Sequence, residues 1–165
     1  MQNAASIYDI DCIDLMGKPF PLRQFVGRPL LIANTASFCG FTPQLVDMEA
    51  VWQRDKDKGL VVIGMPSNDF GQQEPGDSAQ IAALCTTKFG VTFPIMAKTP
   101  VSGPQAHPLF QWLVQEGGFL SKPRWNFYKY IIGRDGHLKD WFLPITNPRH
   151  PRFERALVDA LKTKA

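Results

Sequence analysis

"RPLLIANTASFCGFTPQLVDMEAVWQRDKDKGLVVIGMPS", residues 28–67, decides the architecture. Its two ends, "RPLLIANTAS" and "GLVVIGMPS", are short unbroken apolar runs rich in β-branched residues, which suits strands buried on both faces of a sheet. Between them "TPQLVDMEAVWQRDKDKG" carries helix punctuation, with Thr42 as N-cap, Pro43 at the first helical position and Gly59 just past the end. Leu45, Met48 and Trp52 recur at helical spacing and face the sheet. A strand, a helix and a strand in this order predict two parallel strands joined by a right-handed crossover.

The flanking segments add to that unit. A second helix is expected in "DSAQIAALCTTKFG" (77–90), capped by Asp77 or Ser78, with Ile81, Leu84, Cys85 and Phe89 on one face. "TFPIMAK" (92–98) reads as a short strand, and "HPLFQWLVQEGG" (107–118) as a third helix ending at its glycine pair. "NFYKYIIGRDGHLKDWFL" (126–143) alternates about Asp135-Gly136 as a hairpin does. The tail "PRFERALVDALKTK" (151–164) is an amphipathic helix with Phe153, Leu157 and Leu161 in line. At the front, "YDIDCIDLMGKPFPLRQF" (8–25) reads as a hairpin turning at Gly17. No repeat or linker interrupts the chain, so one α/β domain over residues 1–165 is expected: a central mixed sheet flanked by helices, with an N-terminal β-hairpin.

Composition narrows the function. The 165 residues are 44% hydrophobic and 20% charged, within the range of a single globular domain. No apolar run is long enough to span a bilayer, and "MQNAASIYDIDC" lacks the layout of a secretory signal, so a cytoplasmic protein without membrane insertion is expected. The net charge of +3 is spread along the chain, without the basic stripe and stacking aromatics of a nucleic-acid binder. Cys12, Cys39 and Cys85 are too few for a disulfide framework. Together with the scattered His107, His137 and His150 they lack metal-ligand spacing, so neither metal nor cofactor is expected.

Cys39 stands out by position. It falls after the first buried strand and just before a helix, at the edge of an α/β sheet where ligands bind. Unpaired N–H groups and the positive end of the helix dipole favour a thiolate there. A free cysteine on its own is more often a small buried residue. Two other segments shift that balance. "GMPSNDFGQQEPG" (64–76) follows the second strand and so lies at the same edge, and "RWNFYKY" (124–130) sets an indole donor beside an amide donor. A hydrogen bond to an ionised acceptor is worth about 1.5–3 kcal/mol, so two neutral donors are enough to favour the anion without a histidine base.

At these segments the chain resembles the glutathione peroxidase family in its cysteine-containing form. "NTASFCGFTPQ" (34–44) resembles the nucleophile segment, "GMPSNDFGQQEPG" the second block and "WNFYKYIIGRDG" (125–136) the third. The resemblance implies a thioredoxin-like fold and a catalytic tetrad at Cys39, Gln73, Trp125 and Asn126. It further implies that Cys39 attacks a hydroperoxide, leaving a sulfenic acid and releasing water or an alcohol. The segment around Cys85 resembles the one that carries a resolving cysteine in family members reduced by thioredoxin. The implied cycle therefore passes through a Cys39–Cys85 disulfide opened by a thioredoxin-like protein. Glutathione as reductant, and a peroxide sensor that relays oxidation to a partner protein, are the alternatives.

Further expectations follow. Cys85 sits on an apolar helix face, so its helix must partly unwind before the two sulfurs meet. Cys12 is read as structural. Tetrameric members of the family it resembles carry a longer insertion in the stretch from residue 111 to 124, so the resemblance implies a monomer with an open active-site face, which admits lipid hydroperoxides as well as hydrogen peroxide. Asp69 stands where the family commonly has glutamine; a carboxylate aimed at the thiolate would oppose it, so Asp69 is expected to point away or to pair with a cation.

Overall fold

In the computed structural model, which describes residues 4–165, the chain runs β1 (Asp11–Ile13), β2 (Pro19–Pro21), β3 (Leu30–Thr35), α1 (Gln44–Asp55), β4 (Val61–Pro66), α2 (Ser78–Ala83), α3 (Pro108–Gly117), β5 (Lys129–Ile132), β6 (Leu138–Phe142) and α4 (Pro151–Lys162). The first three residues of the N-terminal stretch lie outside the described residues. Every residue of β3 and β4 is buried, as their unbroken apolar runs require, and the two pair in parallel from Leu30–Val61 to Thr35–Pro66. β5 pairs antiparallel with β3, and β6 with β5, giving a mixed sheet in the order β4-β3-β5-β6. β1 and β2 form the separate front hairpin. Its turn needs the left-handed φ of +80° at Gly17.

Side chains alternate along a strand, so the sheet has two apolar faces. Leu31, Ala33, Val62 and Ile131 pack with Leu45, Met48 and Val51 of α1 and with Phe153 and Leu157 of α4. Leu30, Ile32, Ile63 and Tyr130 pack with Leu109, Phe110 and Leu113 of α3 and with Ile7 and Leu22 from the front of the chain. At about 1.5–3 kcal/mol for each large apolar side chain fully removed from water, these two layers hold the strand ends in place, and the strand ends carry the site.

Three local expectations change. "TFPIMAK" forms only isolated bridges, Gly64 with Ile95 and Asp14 with Met96. Pro94 has no N–H to give a ladder, yet its carbonyl accepts from Gly64 N, and Ala97 N donates to Ile13 O, so the segment ties the front hairpin to the β4 edge. Thr42 does not cap α1, which starts at Gln44 with Pro43 as N-cap and no side-chain cap. The helix around Cys85 is regular only over α2, where Asp77 and Gln80 form a capping box; it continues as a single π-helical turn, Leu84–Lys88.

Candidate active site

Beyond β3 the chain leaves the sheet through a loop that the Thr42 hydroxyl fastens. Its Oγ1 accepts from Cys39 N at 2.9 Å and donates to Ala36 O at 2.8 Å. This is why Thr42 is unavailable as a cap: it closes the Cys39 loop instead. Cys39 is 8% exposed, and its Sγ accepts from the Phe41 backbone N–H at 3.4 Å. The donor on the sulfur is thus a loop amide at the approach to α1, where N–H groups lack helical partners.

Two other loops are stitched to this one. Phe38 N donates to Gln73 O at 3.0 Å, and the Ser37 hydroxyl donates to the Glu74 carboxylate. From the side of β5, Phe127 N donates to Asn34 O at 2.7 Å, and Asn34 Nδ2 donates to Trp125 O at 2.8 Å. Gln73 and Asn126 meet directly: Asn126 Nδ2 donates to Gln73 Oε1 at 2.9 Å and faces Phe70 O at 3.4 Å. That bond fixes which way the Gln73 amide points and leaves its Nε2 hydrogens free. Asn126 is fully buried, whereas Trp125 is 37% exposed and its indole N–H has no protein acceptor among the described residues. Gln73, Trp125 and Asn126 therefore come together on loops tied to the Cys39 loop. None of the three donates a hydrogen bond to Sγ in the resting structure, so the direct contacts expected from the sequence are replaced there by the Phe41 amide.

Backbone strain marks the same place. Gln72 and Phe127, with φ of +51° and +67°, are the positive-φ residues other than glycine among the described residues. One lies beside Gln73 and the other beside Asn126. A bulky residue in this conformation costs about 1–3 kcal/mol and persists only where its surroundings enforce it. Gly71, at φ +65°, leaves no room either: a Cβ there would sit 3.0 Å from the Trp125 ring.

What enforces Phe127 is Lys129, a fully buried lysine. Its Nζ donates to Phe127 O at 2.7 Å and to Gln44 Oε1 at 2.8 Å, with Leu143 O and Pro144 O at 3.2 and 3.3 Å. One amine thus clamps the Trp125–Phe127 turn, the start of α1 and the segment after β6. No carboxylate pairs with it among the described residues, and burial lowers its pKa to about 7. The unfolded chain holds that proton until about pH 10.4. Between those values the unfolded state binds more protons than the folded one, so this group makes stability rise with pH, by up to about 1.4 kcal/mol per unit. The unfolding free energy of the native protein minus that of Lys129→Met, measured in urea, is expected to rise from pH 7 to pH 10. A constant gap would refute this assignment.

Cys85 is buried in the π turn, with its thiol pushed up to about 11 by burial and then by the charge of Glu74. Cys12, Cys39 and Cys85 are all free thiols. Cys12, in β1 opposite Phe20, is buried in the other apolar layer, its thiol pushed up to about 12 by burial and then by Asp11. Asp69 turns to the opposite loop, where its Oδ2 accepts from Val101 N at 2.8 Å and Ser102 N at 3.0 Å; two amides, not a cation, hold it. No group of three or more His, Cys, Asp or Glu side chains suited to a metal exists among the described residues. Asn34, Glu74 and Lys129 escaped the sequence reading. The signal was present for two of them: Asn34 follows four apolar residues within β3, and Lys129 stands between Tyr128 and Tyr130 at the start of a strand whose every residue is buried.

A free cysteine in the loop that follows a central strand of a four-stranded mixed sheet, with helices on both faces, places the chain among thioredoxin-like folds. The thioredoxin-family thiol:disulfide interchange protein from Chlorobium tepidum TLS matches that fold with a TM-score of 0.66 at 15% identity, covering 98% of each chain. The crystal structure of Trgpx in apo form matches more fully, with a TM-score of 0.79 at 35% identity over 98% of this chain and 99% of that one. The family model described as glutathione peroxidase matches residues 7–114. Among curated relatives, the glutathione peroxidase-like peroxiredoxin gpx1 of Schizosaccharomyces pombe is 41% identical over 87% of this chain and 92% of its own length. The hydroperoxy fatty acid reductase gpx1 of Synechocystis is 43% identical over 87% and 89%. The chain belongs to the glutathione peroxidase family.

Proposed function

We propose that the protein is a thiol peroxidase that reduces hydrogen peroxide and organic hydroperoxides at Cys39 and is recycled by a thioredoxin-like protein through a Cys39–Cys85 disulfide. The observation that carries this reading is the Asn126–Gln73 hydrogen bond, on a loop joined to the Cys39 loop by Phe38 N. The Cys39 thiolate attacks the terminal oxygen of the hydroperoxide, so that an S–O bond forms as the O–O bond breaks. The free Nε2 hydrogens of Gln73 and the indole N–H of Trp125 then stabilise the charge arriving on the leaving oxygen. Hydrogen bonds of this kind are often long before substrate enters and tighten in the complex. Asn126, with its Nδ2 directed at Gln73 and Phe70, is a positioning residue.

Phe38, 63% exposed, and Trp125, 37% exposed, give the surface of the two site loops an apolar rim. Such a rim favours lipid hydroperoxides among the substrates, in line with the name of the Synechocystis relative. Recycling by thioredoxin rests on Cys85, whose π turn is short and departs from regular helical bonding, a segment suited to opening. A monomer in a reducing compartment such as the cytoplasm completes the reading. The test is peroxide consumption with thioredoxin and glutathione systems in parallel. Turnover sustained by thioredoxin is expected; turnover with glutathione alone would overturn the reductant, and none with either would overturn the activity.

A further inference from the structure

Glu74 is a carboxylate 2% exposed, and the tetrad gives it no task. Among the described residues no cation forms an ion pair with its carboxyl group: Lys98, whose charge acts on it from nearby, donates its Nζ instead to the Glu74 backbone carbonyl at 3.2 Å and to Gly76 O at 2.8 Å. The carboxyl group is held by the Ser37 hydroxyl, two residues before Cys39. Ser37, Phe38 and Pro75 form one wall of a cavity of about 500 Å3, and Ile81, Ala83 and Leu84 form the other. Glu74 is bonded to the first wall and Cys85 follows Leu84 in the second. Burial raises the affinity of Glu74 for a proton, and its charge reaches the Cys85 thiol. The groups that face it are Ser37, Lys98 and Cys85.

We propose that Glu74 accepts the proton of Cys85 as that thiol attacks the oxidised Cys39, and returns it to the departing sulfenic oxygen. This rests on the reading of Cys39 as the oxidised cysteine and Cys85 as the one that resolves it. A thiol as strongly protonated as Cys85 needs a base, because only the thiolate attacks. When the Leu84–Lys88 turn opens, Cys85 must cross the cavity toward the Cys39 loop, to which Glu74 is tied through Ser37. In the step the Cys85 S–H bond breaks and its proton passes to the carboxylate. The S–S bond forms as the Cys39 S–O bond breaks, and the oxygen leaves as water with the proton from Glu74. Cys85 sulfur is oxidised as Cys39 sulfur is reduced, and no other reactant is required.

Glu74→Gln tests this, since its amide oxygen can accept the same Ser37 hydrogen bond but cannot take the proton. After mixing with hydrogen peroxide and quenching with an alkylating agent, mass spectrometry follows both cysteines. Oxidation of Cys39 is expected within about twofold of the native rate, while disulfide formation slows at least about tenfold at pH 7. In the variant that slow step should speed up about tenfold per pH unit as hydroxide replaces the carboxylate, against a flatter native profile. Partial recovery is expected in Glu74→Asp. A native rate of disulfide formation in Glu74→Gln overturns the proposal, and so does a slower rate with the native pH profile, which would mark a structural role. If Cys85→Ser still cycles with thioredoxin, the assignment of Cys85 itself falls, whatever Glu74→Gln does.

Discussion

Cys85→Ser consumes one equivalent of hydroperoxide per chain at the native rate and then stops, however much thioredoxin is supplied. The first turnover survives because Cys85 lies in the π turn of a separate segment and makes no hydrogen bond to the Cys39 loop. Its own thiol, protonated and buried, offers little competition for peroxide. Cycling stops because no other free thiol can replace it: Cys12 is held in the opposite apolar layer, with Leu22 and Ile32. Stopped-flow measurement of the first turnover and a coupled thioredoxin assay of the steady state separate the two effects. Sustained thioredoxin-dependent turnover at more than a few per cent of the native rate would exclude Cys85 as the resolving residue.

Gln73→Ala should slow the first step by about 10²–10³-fold, the loss typical of removing one donor that stabilises a developing oxyanion, or about 3–4 kcal/mol. Asn126→Ala should approach the same loss without touching substrate, because the Gln73 amide is then free to turn. The double variant distinguishes this from two independent contributions. If Asn126 acts through Gln73, adding its substitution to Gln73→Ala costs little more, and the coupling energy is nearly as large as either single effect. Losses that multiply in the double variant would mean that Asn126 meets the reacting atoms itself.

The β3-α1-β4 unit was legible in the sequence because burial on both faces leaves continuous apolar runs, and a helix end leaves Gly59 in the left-handed conformation it needs. The hairpins were legible for a similar reason, at Gly17 and Gly136. "TFPIMAK" misled because its apolar content suits a strand, while the missing N–H of Pro94 limits it to bridges. The two roles of Thr42 could not be separated by residue type, since one hydroxyl serves a helix cap or a loop staple and only the fold decides. The π turn was hidden because Ile81 and Cys85 share a face at helical spacing whether or not the later turn widens.

For the candidate site, the segments that carry Cys39, Gln73, Trp125 and Asn126 were legible through the family resemblance, while the bonds that tie their loops together were not. Phe127 adopts a left-handed backbone that its own side chain disfavours. It is held by Asn34 and Lys129, residues distant from one another in sequence or facing away from the apolar pattern. Such a constraint exists only after β3 and β5 have paired. Glu74 was legible as a residue of the second block but not as a buried one, since a Gln-Glu-Pro-Gly stretch reads as an exposed loop.

The most direct test of the central claim, that Cys39 is the atom oxidised by peroxide, is to trap the sulfenic acid in Cys85→Ser with a dimedone-type reagent and map the adduct by peptide mass spectrometry. One adduct per chain, on the peptide containing Cys39, is predicted after a single equivalent of hydroperoxide. An adduct on the Cys12 peptide, or consumption of peroxide with Cys39 left reduced, would contradict it.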